Sequence, residues 1–321
     1  MTSTSEPFLQ TLSINGIRMR IAEQGEGPLV VLCHGFPEGW NSWRVQLAAL
    51  SAAGYRTVAP DMRGYGGTDA PEDPSRYTML HHVGDLVALV AALKAEHAVI
   101  VGHDWGAPVA WSAASLRPDL FRAVVGMSVP YSPPGPVDLL GALESRGVRD
   151  FYMQYFQTPG IAESELEADV AASLRRITFS LSGDGRGGVA GRLGDGHGFL
   201  HNTDDPAQLP AWMNRKDLDD SVAEFTRTGF RGGLNWYRAL RLNSELMAAW
   251  RGVAIRQPSL FIGGTRDDVL AWPASRASLE GFGRTLPGLR GCHLLEGAGH
   301  WVQRERAARV NELLLEFLAS L

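Results

Sequence analysis

The segment Gly102-His103-Asp104-Trp105-Gly106 constrains this chain more than any other. The apolar run Ala98-Val99-Ile100-Val101 precedes it, and a helical stretch from Ala107 to Leu116 follows, ending near Pro118. Small residues two before and two after a central one permit a sharp strand-to-helix turn that exposes the middle side chain above a sheet. The same turn sets that side chain near a helix N-terminus, which favours negative charge. Taken alone, Asp104 would also serve as a simple helix cap. If it is instead a nucleophile, its identity decides the chemistry. A serine attacking a saturated carbon would form an ether that water does not readily cleave. A carboxylate attacking the same carbon forms an ester that activated water can hydrolyse. An aspartate elbow therefore fits displacement at an sp³ carbon, that of an epoxide or an alkyl halide.

The rest of the chain supplies the sheet such a turn needs. Phe8 to Ile14 and Ile17 to Ala22 flank Asn15-Gly16, a strong hairpin signal. Pro28 to Cys33, Tyr55 to Pro60, Ala98 to Gly102 and Arg122 to Val129 read as short strands. Helices are expected over Trp40 to Ala53, with Gly54 at its C-cap, and over His82 to Lys94. Continuous apolar strands alternating with helices indicate a parallel sheet covered on both faces. The alternation stops at Pro130, where four prolines fall in seven positions up to Pro136. From about Asp138 to Trp250 the chain reads as helical and aromatic. The exception is Gly183 to Gly198, with eight glycines in sixteen residues, which reads as a flexible surface loop or a gate. Strands Ser259 to Ile262 and Gly291 to Leu295 and a helix from Arg304 to Leu321 complete the pattern. Residues 1–132 and 251–321 thus form one discontinuous α/β core, and residues 133–250 a helical insertion.

Nine histidines compete for the role of base. His300, in Gly297-Ala298-Gly299-His300-Trp301, follows the last expected strand in a glycine-bounded loop that can present a side chain at the sheet's carboxyl edge. The orienting acid is expected after the preceding strand, where Asp267 and Asp268 stand side by side. The Gly264-x-x-Asp267 spacing and the following Val269 favour Asp267, with Asp268 as a solvated neighbour. The order nucleophile, acid, histidine is the one this architecture requires. His103 reads as structural. His81, His82, His97, His197, His201 and His293 read as surface or loop residues. After the first buried strand, His34-Gly35-Phe36-Pro37 occupies the loop that donates a backbone N–H to an oxyanion, jointly with the residue after the nucleophile. Those donors would be Phe36 and Trp105.

Together, His34-Gly-Phe-Pro37, Asp61-Met-Arg-Gly-Tyr-Gly66, Gly102-His-Asp-Trp-Gly106 and Gly297-Ala-Gly-His-Trp301 resemble the α/β-hydrolase-fold epoxide hydrolases, in particular the hydrolase domain of the soluble vertebrate enzyme and its bacterial relatives. The resemblance runs from about Asn15 to the C-terminal helix and is weakest over the glycine-rich stretch. It implies a mostly parallel sheet flanked by helices, with a mainly helical cap inserted. It also implies two cap tyrosines that assist ring opening. Alignment through Phe156-Gln157 selects Tyr152, with Tyr155 as the alternative read as pocket wall, and the segment Arg227 to Arg238 selects Tyr237. A phenol, with a pKa of about 10, stays protonated at neutral pH and can donate to a forming alkoxide. The implied reaction is hydrolysis of an apolar epoxide to a vicinal diol through an ester on Asp104. Phe36, Trp105, Phe151, Tyr155, Phe156 and Trp272 are the expected substrate-binding residues. A haloalkane dehalogenase shares the elbow but commonly has, as a second halide donor, an asparagine after the His-Gly pair or a cap tryptophan; here Phe36 follows that pair, and the cap supplies paired tyrosines instead. A non-catalytic ligand receptor on the same scaffold would tend to lose a catalytic member, and this chain keeps them all.

Composition narrows the remaining classes. A net charge of −5 without a basic stripe argues against nucleic acid. No run of about 18 apolar residues suggests a membrane span, and the N-terminus lacks a basic region followed by an apolar one. Two cysteines, Cys33 and Cys292, in an apolar fraction of 45% suit a reduced cytoplasmic enzyme of the detoxifying kind with no disulfide staple. No metal-ligand spacing or dinucleotide fingerprint is present, so neither metal nor cofactor is expected. The expected partners are the epoxide and water, with self-association left open.

Overall fold

A computed structural model describes residues 6–194 and 196–321. The first two strands, β1 (Phe8–Ile14) and β2 (Ile17–Gln24), pair antiparallel across Asn15 and Gly16. Both turn residues have positive φ, 44° and 75°, the backbone a tight hairpin turn demands. Six further strands follow: β3 (Leu29–Cys33), β4 (Arg56–Pro60), β5 (Ala98–His103), β6 (Phe121–Met127), β7 (Ser259–Gly264) and β8 (Leu289–Leu295). The sheet order is β1-β2-β4-β3-β5-β6-β7-β8, and all pairs from β4 onward are parallel.

Side-chain alternation along β3 explains why the sheet is covered twice. Val31 and Cys33 enter one core with Ile100, Leu86, Leu89, Val109 and Ala113. Val30 and Leu32 enter the other with Val101, Leu47, Leu50, Val310, Leu313 and Phe317. The first face is thus covered by α2 (Met79–Ala92) and α3 (Gly106–Leu116), the second by α1 (Arg44–Ala52) and the C-terminal helix Ala307–Ala319. Each of the Val, Leu, Ile and Phe side chains among these contributes about 1.5–3 kcal/mol by leaving water.

Helix α2 starts three residues earlier than the sequence suggests, because the Thr78 hydroxyl caps it by accepting the His81 N–H. His82 consequently lies inside rather than on the surface. It is fully buried and stacks on Trp236 with ring centroids 3.6 Å apart. The expected C-terminal helix is broken at Arg306, whose φ is −127°. Between β7 and β8 the chain forms the helix Pro273–Glu280, which the sequence reading did not include.

Between β6 and β7 the described residues form helices and loops with one isolated bridge, Phe151 to Arg192. The longest of these helices are Val170–Ser180 and Arg215–Thr228. No helix among the described residues is long and apolar enough to cross a membrane.

Candidate active site

Because β3 to β8 run parallel, the loops after β3, β5, β7 and β8 leave the same edge of the sheet. β3 is flanked by β4 and β5, so the strand order reverses there, and the crevice at such a reversal is where open α/β sheets bind ligands. Cys33 pairs with Gly102, which brings the ends of β3 and β5 level.

The turn after β5 is as tight as its glycines allow. A Cβ on Gly102 would come within 2.0 Å of the Gly106 carbonyl oxygen, and one on Gly106 within 2.0 Å of that of Cys33. Asp104 has φ 50°, the left-handed region that a non-glycine residue enters at a cost of order 1–3 kcal/mol. Its carboxylate then meets groups from two other loops. The Phe36 N–H donates to Oδ1 at 2.7 Å. Nε2 of His300 lies 3.3 Å from Oδ2. On its other side, Nδ1 of His300 lies 3.1 Å from Asp267 Oδ1. Of the two expected backbone donors, Phe36 therefore reaches the carboxylate. Trp105 begins the turn into α3 beside it.

Burial alone would lower the pKa of His300. The charges of Asp267 and Asp104 and the hydrogen bonds to both outweigh it and hold the imidazolium well above the usual histidine range. Asp267 also accepts the Val269 N–H, which fixes its side chain at the start of the helix Asp268–Ala271. The backbone of His300 is secured as well. Its carbonyl oxygen accepts from the Ser128 hydroxyl at 2.6 Å and faces His103 Nε2 at 2.8 Å, and its N–H donates to Leu181.

Tyr152 and Tyr237 are both buried, with ring centroids 6.0 Å apart. Burial pushes both phenols well above their usual pKa, and the charge of Asp104 adds to this in each case. Tyr237 stands edge-on to Trp105 at 5.1 Å and to Phe36 at 5.6 Å. A cavity of about 380 Å³ opens from Asp104 along α3. Apolar side chains dominate its wall, among them Trp105, Trp111, Tyr152, Met247, Trp250 and Trp272.

The expected substrate-binding residues divide. Trp105 and Trp272 line this cavity, whereas Phe36, Phe151, Tyr155 and Phe156 do not. Phe156 is fully buried against Phe36, Phe199 and Tyr237, and so braces the tyrosines from behind. Phe151 packs on Trp272. The Tyr155 hydroxyl donates to Glu165 at 2.9 Å, away from Asp104. Trp111, Met247 and Trp250 were missed because an apolar residue on a helix reads the same whether it faces core or cavity.

Two polar residues around the site, Glu38 and Glu305, were also missed, and a third, Asp268, was placed wrongly. Glu38, next to the His34-Gly-Phe-Pro37 motif, is buried with its Oε2 2.8 Å from His103 Nδ1. Burial opposes its ionisation, but His103 and His34 hold its pKa down at about 2. Glu305 accepts the N–H groups of Gly299 and Trp301, which flank His300, and that of Gly183. In the sequence it reads as one charge in a mixed run, Arg304-Glu305-Arg306. Asp268, expected to be solvated, accepts the N–H groups of Gly188, Val189 and Ala190. The first half of the glycine-rich stretch is correspondingly pinned and partly buried rather than a free surface loop: Gly183, Gly185, Val189 and Ala190 are all buried.

The doubly covered parallel sheet, the elbow after β5 and the acid and histidine after β7 and β8 define an α/β hydrolase, and the model of the alpha/beta hydrolase fold matches residues 28–179. The chain is 45% identical to epoxide hydrolase A of Mycobacterium tuberculosis over 98% of both chains. It is 43% identical to an epoxide hydrolase of Caballeronia sordidicola, covering 96% of this chain and 92% of that one. The solved structure of an epoxide hydrolase from an endophytic Streptomyces superimposes with a TM-score of 0.93 at 44% identity, covering 98% of this chain and 96% of the other. The chain belongs to the epoxide hydrolases of the α/β-hydrolase fold.

Proposed function

We propose that the enzyme opens an apolar epoxide by attack of Asp104 on a ring carbon, and that residues 133–250 act as the cap that closes the site. The observation that carries this reading is Asp104 itself, which lines an apolar cavity and is held between the Phe36 N–H and His300 Nε2. A carboxylate oxygen forms the new C–O bond, the ring C–O bond breaks, and its electron pair remains on the ring oxygen. Tyr152 and Tyr237 hold that oxygen and one of them protonates it. Phenols suit this duty in an apolar pocket because they polarise the oxygen without adding a charge. The trigger for the second step is electrostatic. Once Asp104 is an ester its charge is gone, so one of the two carboxylates supporting the His300 imidazolium is lost. His300 then releases its proton, which restores the phenol, and becomes a base.

In the second half His300, oriented by Asp267, takes a proton from water while the water oxygen adds to the ester carbonyl. The Phe36 and Trp105 N–H groups stabilise the oxyanion. Collapse breaks the ester C–O bond, the carboxyl proton passes to the leaving alkoxide, and the diol departs. The Asp104 carboxylate and the His300 imidazolium are regenerated. The apolar cavity wall favours an apolar substrate, and the free thiols Cys33 and Cys292 suit the cytoplasm.

The test is a single turnover of a racemic aryl epoxide in ¹⁸O water, with 1-haloalkanes assayed in parallel. The first diol formed is expected to carry unlabelled oxygen from Asp104, with the label left in the carboxylate. Label in the first diol would mean that water attacks the ring directly, and would remove the ester mechanism.

A further inference from the structure

The glycine-rich stretch and the second aspartate of the acid loop take no part in the reaction set out above. We infer that Asp268 is a positioning residue for Tyr152, acting through the backbone of residues 188–191. This rests on the role proposed for Tyr152 in ring opening.

Three successive N–H groups converge on the Asp268 carboxylate: Gly188 on Oδ1 at 2.9 Å, and Val189 and Ala190 on Oδ2 at 2.8 and 3.3 Å. Hydrogen bonds to an ionised acceptor are roughly twice as strong as neutral ones. The chain can wrap the carboxylate because Gly187 and Gly188 take φ of 76° and 83°. A Cβ on Gly187 would also come within 2.9 Å of Asp268 Oδ1. The Trp272 indole adds a fourth tie by donating to the Ala190 carbonyl at 2.8 Å. The next residue, Gly191, accepts the Tyr152 N–H at 3.0 Å. Arg192 and Phe151 form an antiparallel bridge, and the Leu193 N–H donates to Asp150 at 2.8 Å.

The clamped peptide is therefore one side of a short ladder whose other side carries Tyr152. The helix that begins there, Tyr152–Tyr155, is a single turn with little stability of its own. Its place is set by what it is tied to. Adjacent residues thus reach the two halves of the reaction: Asp267 holds His300, and Asp268 holds the peptide to which the Tyr152 segment is tied. A reacting group displaced by about 1 Å can lose on the order of 100-fold in rate, so a residue that touches no substrate can matter for ring opening.

The experiment measures ester formation by mass spectrometry in a His300→Gln background, where the ester accumulates. At saturating aryl epoxide, adding Asp268→Ala is expected to slow ester formation about 10–100-fold, with the half-saturating concentration little changed. In a Tyr152→Phe background the same substitution is expected to add nothing. With His300 intact, decay of the ester after a burst is expected at the parent rate. Asp268→Asn, which keeps the volume and one acceptor oxygen, gives an intermediate loss and serves if the alanine variant does not fold. Ester formation at the parent rate in Asp268→Ala overturns the inference. So does an equal slowing with and without the Tyr152 hydroxyl, or a defect confined to ester decay, which would place the effect on Asp267. If Tyr152→Phe alone forms ester at the parent rate, the reading of Tyr152 falls and this inference falls with it; that control separates the two failures.

Discussion

Nε2 of His300 lies 3.3 Å from Oδ2 of Asp104, so the proposed base and the proposed nucleophile form an ion pair before substrate arrives. Burial disfavours the imidazolium, while Asp267 and Asp104 outweigh burial and raise its pKa. Removing either charge must lower it. Asp104→Ala is therefore expected to abolish turnover and, in an NMR titration, to bring the His300 pKa below its wild-type value. Because the folded pKa is raised, this ion pair contributes stability that is full below the unfolded histidine value of about 6.5. The contribution is lost as pH rises through the folded pKa. A His300 pKa unchanged by Asp104→Ala would mean that Asp104 does not hold the proton there.

His300→Gln separates the two steps. In the proposed reaction ring opening uses Asp104 and the tyrosines, so one equivalent of epoxide is expected to react and stop. Intact-protein mass is expected to rise by the mass of one substrate, and peptide mapping to place it on the fragment containing Asp104. Full multiple turnover by this variant would remove His300 from ester hydrolysis.

In the proposed reaction the two tyrosines share one duty. Tyr152→Phe and Tyr237→Phe each delete a hydroxyl and almost no volume. Loss of a general-acid donor costs on the order of 10²–10⁴ in rate, less where the second phenol compensates. The double variant is expected to form ester at least as slowly as the worse single variant. Stopped-flow ester formation at the wild-type rate in the double variant would exclude the phenols as donors.

Stability is expected to depend on a buried pair outside the groups proposed to react. Arg63 reaches both carboxylate oxygens of Asp85, at 2.8 and 2.6 Å, and both side chains are buried. Breaking such a pair by removing one partner costs about 3–5 kcal/mol, because the remaining charge is stranded. Asp85→Ala is expected to lower the urea midpoint accordingly, while Asp85→Asn, which keeps a carbonyl acceptor, loses less. An Asp85→Ala midpoint equal to wild type would show that Arg63 finds another partner.

The sequence by itself determined the elements whose information is local. The elbow is legible because its glycines are forced by contacts within the turn and with β3, and the proposed nucleophile, Asp104, is the middle residue between them. The hairpin at Asn15-Gly16 is legible because positive φ at both positions leaves few alternatives. Alternation of short apolar runs with helical spacing gave the parallel sheet, and the chain order of Asp104, Asp267 and His300 followed from it. What the tertiary structure decided is which polar groups meet across long separations and which apolar faces are left open. Glu38 and His103 lie 65 residues apart, and Asp268 meets Val189 and Gly188 across 79 and 80 residues. Nothing in the local pattern of an aspartate beside an aspartate tells a solvated carboxylate from one that gathers three N–H groups. The same holds for His82, which helical spacing alone cannot assign to solvent or to the face of Trp236. It holds for Phe156 and Trp250, where one apolar ring braces the tyrosines and the other lines the cavity. Burial and pairing belong to the assembled chain, because a side chain's cost or gain is set by the partners that folding brings to it.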